Sequence, residues 1–300
     1  MSAEPGGPRV RVLINPTAGG GRAHRLMPRL SACAASFGAE CIVTRSAEQL
    51  HAEAARAVRD GAERIVVVGG DGSIHRTLEP LAGSGTALGL VPLGSGNDLA
   101  GALRITGDPL SCLRSAIGGP LRRIDLGRVA GRAFVGTGGV GFDGEVARRV
   151  RERRGVVPRP LVYPAAVIAA LSSYRAPEVT LEHDAGTFRG RVLFVVLANS
   201  PRFGGGMRVA PDARIDDGRL DVVIVRETGR LELLAALPRV YRGTHLTHPK
   251  VESFRTTRAR LFCERPITVY GDGEPIVEVG DSGVEFAVDP GALAVAAVRP

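Results

Sequence analysis

The sequence predicts an α/β domain followed by a β domain, and three observations carry that prediction. Short β-branched runs alternate with helical stretches through the first 127 residues, and those runs end in glycine-rich turns. Beyond Ile124-Asp125-Leu126-Gly127 the texture changes to extended runs punctuated by turn residues. Alternating strands and helices specify a mainly parallel sheet with helices on both faces, whereas closely spaced strands specify antiparallel sheets. A chain of 300 residues also exceeds the usual size of one domain. Residues 1–127 are therefore expected to form a three-layer α/β domain. Residues 128–300 are expected to form an antiparallel β-sandwich, its last strand free to return toward the N-terminal domain. No low-complexity linker separates the two, so they are expected to pack closely.

Val10–Ile14 is the first expected strand, ending in Asn15-Pro16 and the turn Gly19-Gly20-Gly21, with a helical stretch after it. Residues 41–44 make the next strand. Ser46 with Gln49 three positions on has the capping-box spacing of a helix start, and Gly61 closes that helix. Residues 65–68 run into Gly69-Gly70-Asp71-Gly72-Ser73 and a further helix. Residues 88–91 run into Pro92-Leu93-Gly94-Ser95-Gly96-Asn97-Asp98. In the second half, helical patterns at 143–154 and 161–174 precede the extended runs 179–182, 192–198, 220–225, Arg258–Cys263, 267–270, 284–288 and 292–298.

Composition narrows the class of partner. A net charge of +8 and a pI near 10.1 suit nucleic acid, an anionic membrane surface or phosphorylated small molecules. Lys250 is the only lysine, so the positive charge is almost all arginine, which a GC-rich genome would also produce. Aromatic residues make up 4% and tryptophan is absent, which weakens any reading built on base stacking; no nucleic-acid partner is expected. The cluster Arg148, Arg149, Arg151, Arg153 and Arg154 alternates with Glu145 and Glu152 as a solvated helix face does. Cys33, Cys41, Cys112 and Cys263 lack metal-ligand spacing and read as free thiols of a reducing cytoplasm. Residues 1–8 are too polar for a signal peptide. The apolar stretch 161–173 is interrupted by Pro164 and falls short of the roughly 20 residues that span a bilayer. A cytoplasmic protein with transient peripheral contact to an anionic membrane is expected, and a homodimer is left open.

Chemistry concentrates at the strand ends, where ligands of open α/β sheets bind. Asn15-Pro16-Thr17-Ala18-Gly19, Gly69–Ser73 and Gly94–Asp98 are three such turns at one sheet edge. Consecutive backbone N–H groups at a helix start cradle phosphate, and the third turn adds a hydroxyl, an amide and a carboxylate. His75 follows the second turn directly. Near the other end, Asp272-Gly273-Glu274 supplies two carboxylates. A fold that joined it to the turns would set nucleotide phosphates opposite a general base. Other motifs fail. There is no GxxxxGK[ST], no GxSxG and no third zinc ligand beside His245 and His248. Residues 136–141 match GxGxxG, yet no acidic residue follows about 20 positions on to bind a ribose. Asp212, Asp216 and Asp217 crowd one loop that suits either a hard cation or a polar hairpin connection.

Taken in order, Asn15-Pro16-x-x-Gly19, Gly69-Gly70-Asp71-Gly72, Pro92-x-Gly94-Ser95-Gly96-Asn97-Asp98, Gly141-Phe142-Asp143, Asp217-Gly218-x-Leu220-Asp221 and Asp272-Gly273-Glu274 resemble the diacylglycerol kinase catalytic-domain family. The match is strongest to its small soluble bacterial lipid kinases and covers nearly the whole chain. The resemblance implies ATP in a cleft between the two domains and a lipid hydroxyl as acceptor, most directly diacylglycerol converted to phosphatidic acid. A soluble acceptor such as NAD, or a non-catalytic sensor on the same scaffold, is the alternative. By similarity, Asn15 with Pro16, Thr44, Gly69, Gly70, Asp71, Gly72, Ser73, His75, Ser95, Asn97 and Asp98 would contact ATP. Asp71, Asp98 and Asp125 would form a carboxylate network that organises Mg²⁺ and phosphate. Glu274 would be the general base, supported by Asp272. Asp217 and the carbonyls of Arg214 and Arg219 would hold a structural Mg²⁺. The chain departs from the family pattern at Ser73 and Ser95, where threonine is usual, and at His75, where asparagine is usual. Gly20 and Gly21 also stand before Arg22, where relatives place a basic residue.

Overall fold

A computed structural model of the chain describes residues 9–296 except 142, 143, 147, 148, 150–169, 171–173 and 205. The N-terminal part alternates β1 (Val10–Ile14), α1 (Ala18–Ala35), β2 (Glu40–Val43), α2 (Ala47–Arg59), β3 (Arg64–Gly69), α3 (Asp71–Leu81) and β4 (Ala87–Pro92). Two further helices follow, α4 (Asp98–Ala102) and α5 (Pro109–Gly118). All three pairings in the order β4-β3-β1-β2 are parallel. Val12, Leu13, Ile14 and residues 65–68 are buried on both faces, as near-continuous apolar strands in such a sheet must be. Ser46 caps α2 by accepting the Gln49 N–H, while Gln49 Oε1 takes the N–H of Arg45 rather than that of Ser46 itself. The reciprocal half of the capping pair thus sits one residue early.

The C-terminal part is antiparallel. It comprises β5 (Leu121–Val129), β6 (Arg132–Phe134), β7 (Thr137–Gly141), β8 (Glu178–His183), β9 (Gly186–Ala198), β10 (Leu220–Arg226) and α6 (Arg230–Arg242). It continues with β11 (Val251–Thr256), β12 (Arg258–Cys263), β13 (Ile267–Gly271), β14 (Glu274–Val279) and β15 (Val284–Ala296). The 13-residue β9 serves two layers: its first half pairs β8 and its second half lies between β7 and β10. The layers close on Phe134, Val195, Val222, Leu261 and Phe286, all fully buried. The expected α/β-then-β arrangement is therefore observed.

One local expectation is corrected. Residues 284–288 and 292–298 are not separate runs: β15 passes through Pro290-Gly291 with a register shift. Its beginning pairs β12, and its end lies parallel to β4 through Val295 and Leu88. The GxGxxG stretch, already set aside as a dinucleotide fingerprint for want of an acidic residue, runs into strand β7. A side chain at Gly139 would stand 2.1 Å from the Val195 carbonyl oxygen, so glycine there serves strand packing. Strands β6, β7, β11 and β14 and helix α6 had no expectation. Residues 1–8, the Phe142-Asp143 motif and most of 143–154 and 161–174, including the apolar stretch 161–173 apart from Ala170, lie outside the described residues. Among the described residues no helix is long and apolar enough to cross a membrane.

Candidate active site

Three turns meet at the C-terminal edge of the parallel sheet. At the end of β1, Asn15 Nδ2 donates to Ser73 Oγ at 3.0 Å, tying the first turn to the second. Its Oδ1 accepts the N–H and hydroxyl of Thr17 at 3.1 and 2.8 Å. Gly19, Gly20 and Gly21 then take left-handed backbone (φ 61°, 64° and 86°), so the regular part of α1 starts after them. Thr44, at the end of β2, is buried with its hydroxyl on the Ile14 carbonyl. Gly70 and Gly94 bring the second and third turns into backbone contact. A Cβ on Gly70 would lie 2.8 Å from the Gly94 Cα, and one on Gly94 would lie 2.6 Å from the Gly70 Cα. Gly69 stays within β3, where its carbonyl accepts the Leu93 N–H.

Asp71, the first residue of α3, holds the third turn. Its two oxygens accept the N–H groups of Asn97 at 2.7 Å and Asp98 at 2.8 Å. Burial first, then the Asp98 charge, push its carboxyl above the ordinary range, and the N–H groups of Asn97, Asp98 and Leu99 pull it back. Asn97 is left-handed (φ 55°) and clamps Gly94 with both side-chain atoms at 2.8 Å, so it shapes the turn without lining the cleft. Asp98 Oδ1 reaches across to the Gly206 N–H at 3.0 Å.

The C-terminal part contributes the turn between β13 and β14. Asp272, itself left-handed (φ 50°), accepts N–H groups from Val135 (2.9 Å), Gly136 (2.7 Å) and Thr137 (3.2 Å). His75 Nδ1 lies 3.4 Å from the same carboxylate, so the pair joins α3 to the late turn. Glu274 accepts no backbone donor of this kind. Its partner is Arg76, at 3.8 Å, and both side chains are partly exposed. Two cavities open at this junction. One, of ≈ 540 Å³, is lined by Asn15, Pro16, Thr44, Gly70, Gly72, Ser73, Ser95 and Glu274. The other, of ≈ 460 Å³, is lined by Asp71, Ser95, Asp98, Phe203, Asp272 and Gly273. Ser95 belongs to both.

The remaining carboxylates lie elsewhere. Asp125 is buried, and its oxygens accept the N–H groups of Gly218 and Gly291, each at 2.7 Å. That carboxylate cross-links β5, the β9–β10 connection and the shift in β15; it lines neither cavity. In the loop expected to hold a structural cation, Asp217 Oδ1 accepts the Arg219 N–H and Arg214 faces Asp216. Arg255 spans the loop, bonding Asp221 at 3.2 Å and the Asp212 carbonyl at 3.2 Å, with Asp217 at 3.9 Å. The second oxygen of Asp221 is buried without a hydrogen-bond partner, and burial pushes this carboxyl up. Among the described residues no three histidine, cysteine or acidic groups gather as an all-protein metal cage. Mg²⁺ does not require one, because it binds through one or two carboxylates, waters and substrate phosphates. The close pair Asp71 and Asp98 fits that role, since a cation would relieve the repulsion between them.

Sequence reading passed over Arg45 and Arg76, and named Thr17 only within the first turn and Ser46 only as a helix start; all four also line the larger cavity. Arg45 and Arg76 bring cationic charge to the cleft in a chain that lacks a basic residue after Gly19. Their signal was position: Arg45 adjoins Thr44 at a strand end, and Arg76 lies one turn beyond Gly72.

Comparison with known proteins agrees with this arrangement. Residues 9–129 match the family model of the diacylglycerol kinase catalytic domain, and residues 136–297 that of the YegS C-terminal NAD kinase beta sandwich-like domain. The diacylglycerol kinase of Staphylococcus carnosus (strain TM300) is 27% identical over 270 residues, covering 88% of each chain. That of Staphylococcus aureus (strain MRSA252) is 26% identical over 270 residues, covering 88% of this chain and 86% of its own. A crystal structure of a diacylglycerol kinase from Bacillus anthracis str. Sterne matches with a TM-score of 0.74 at 16% identity over 97% of each chain. Another from the same strain reaches 0.79 at 16% identity over 97% of this chain and 98% of its own; both speak to the fold. With both halves matched in order, the chain is a kinase that belongs to the diacylglycerol kinase catalytic-domain family.

Proposed function

We propose that this protein transfers the γ-phosphoryl group of ATP to a lipid hydroxyl, with diacylglycerol as the acceptor and phosphatidic acid as the product. One observation carries the reading: the Asp272-Gly273-Glu274 turn stands at the junction of the two cavities, with Glu274 lining one and Asp272 and Gly273 the other. The larger cavity, with the α3 N-terminus and the Asn15 and Gly94 turns in its wall, suits a nucleotide triphosphate. The second cavity, floored by Ile74, Leu99, Val135 and Phe203, suits the apolar end of an acceptor.

In this arrangement the acceptor oxygen attacks the γ-phosphorus, and the bond from that phosphorus to the bridging oxygen breaks, with ADP leaving. The hydroxyl proton passes to Glu274, whose lone pairs are not taken by backbone donors. Asp272 is the poorer acceptor, because three N–H groups already occupy it. Arg76 steadies Glu274, and the N–H groups at the start of α3 face charge developing on the transferring group. Mg²⁺ held by Asp71 and Asp98 with the phosphates would neutralise negative charge there. The arginine-rich surface would draw this cytoplasmic protein to anionic lipid.

The test offers purified protein γ-labelled ATP and Mg²⁺ with diacylglycerol, phosphatidylglycerol and a sphingoid base in mixed micelles, and NAD beside them. Label is expected in phosphatidic acid and is expected to disappear with EDTA. Label in NAD alone would overturn the lipid reading; label nowhere would point to a sensor.

A further inference from the structure

A third cavity, of ≈ 560 Å³, is lined by five arginines, Arg104, Arg122, Arg202, Arg208 and Arg214, of which Arg202 also lines the acceptor-side cavity. They come from three places in the fold, the α4–α5 connection, the start of β5 and the β9–β10 connection. One acid, Asp216, shares the lining, and it is already paired with Arg214 at 3.3 Å. Among the described residues the other four guanidinium groups have no carboxylate within ion-pair distance. Arg122 Nε is buried and has no hydrogen-bond partner.

What marks this group is that its arginines converge on one concave surface. Several arginines elsewhere meet acids, among them Arg11 with Asp60, Arg128 with Asp289, Arg226 with Glu252 and Arg255 with Asp221, and others bond backbone carbonyls, as Arg64 and Arg123 do. Around this cavity the matching is missing. Like charges converging on a concave surface repel one another and concentrate anions there. A guanidinium presents a planar fork of donors that fits phosphate oxygens in pairs. The volume falls within the range of sites that hold organic ligands, which favours a phosphate carrying an organic group over a bare ion. Helix α4 is the partition: Asp98 and Leu99 line the acceptor-side cavity, whereas Gly101 and Ala102 line this one.

We propose that this cavity is an anion site that takes a phosphomonoester, independent of the nucleotide cleft. The chemistry is shared by a free phosphate ester and by the head group of a phosphorylated lipid. Calorimetric titration of the whole protein with glycerol 3-phosphate and with dihexanoyl phosphatidic acid below its micellar concentration separates the two sources. Binding of both with like affinity assigns the site to the free ester, and binding of the lipid alone assigns it to a lipid head group. Either way, one equivalent that depends on Arg122 and Arg208 is expected to bind, beside any phosphatidic acid held as product in the acceptor-side cavity, which neither arginine lines. The combined substitution Arg122→Gln with Arg208→Gln should weaken that binding at least tenfold, more so at low ionic strength. Binding of a non-hydrolysable ATP analogue should not change. Should the double variant fail to fold, Arg104→Gln and Arg208→Gln, both at exposed positions, carry the same comparison singly. Three results overturn the proposal: no binding of either probe at millimolar concentration, unchanged affinity in the variants, or one-for-one displacement of the probe by the ATP analogue.

Discussion

Asp272→Asn and Glu274→Gln should separate holding the site from acting in it. Asparagine tolerates the left-handed backbone of position 272 (φ 50°), so the backbone is not what changes. Its remaining oxygen can keep the Gly136 and Thr137 N–H groups, but its NH₂ would then face the N–H of Val135. A hydrogen bond to a charged group contributes about 1.5–3 kcal/mol, and a buried N–H left unpaired costs about 1–3 kcal/mol. Removing a largely buried charge offsets part of that loss. A net destabilisation of about 3 kcal/mol follows, which at about 2–4 °C per kcal/mol lowers Tm by about 6–12 °C. Glu274→Gln touches a partly exposed side chain whose ion-pair partner is Arg76, so its effect on stability should stay within about 0.5 kcal/mol. Turnover should nonetheless fall by about 10²–10⁴, the usual contribution of a general base. Differential scanning calorimetry and kcat measured across pH read both halves. An Asp272→Asn protein with unchanged Tm and abolished turnover, beside an active Glu274→Gln protein, would refute the assignment.

Asp125→Asn tests the role that resemblance implies for this residue. Because both oxygens accept N–H groups at 2.7 Å, the substitution should cost about 2–4 kcal/mol in urea unfolding. The concentration of Mg²⁺ that gives half-maximal activity should stay the same; a large rise would return Asp125 to the metal network. His245 predicts a pH effect on stability. Burial holds its imidazole below the ordinary value of 6.5, outweighing its hydrogen bond to the Val209 carbonyl, so the folded protein binds fewer protons than the unfolded chain. The stabilisation is fully present above 6.5 and is lost as pH falls through the depressed folded value. The urea midpoint should therefore drop between about pH 7.5 and pH 5.5, and His245→Gln should flatten the slope. An identical slope in the variant would remove His245 from the account.

What the sequence showed depended on whether a residue's partner was local. The runs at 65–68 and 88–91 announce strands because branched apolar side chains suit a sheet buried on both faces, and both are strands. Asp71 and Asp272 stood out as carboxylates, but their use did not. Their partners are backbone N–H groups of residues 97 and 98 and of 135–137, and a backbone donor has no sequence signature. Strand β7 was concealed by its composition. Its glycines avoid collision with Val195 and Phe134, a demand set by neighbours far along the chain, and they imitate a nucleotide loop. Pro290-Gly291 looked like a break between strands. There the fold needs a register shift, with the Gly291 N–H turned to Asp125.

Helix α3 explains why the two halves of the site stay in register. Gly72, Ser73 and Arg76 line the larger cavity, so one side of the helix faces the cleft proposed for the nucleotide. Asp71, His75 and Glu79, spaced four apart, form a stripe along the same helix. Asp71 fixes the third turn, His75 meets Asp272, and Glu79 takes the Ala133 N–H at 2.7 Å and the Arg132 guanidinium at 3.1 Å. The surface that lines the larger cavity and the docking surface for the late turn therefore belong to one rigid element. A displacement of the C-terminal part that separated Glu274 from the cleft would have to break the His75 and Glu79 contacts together. Histidine at position 75, the residue at which the sequence departs from the pattern it resembles, reaches Asp272 across the seam. The sequence departure and the cross-part contact are the same feature.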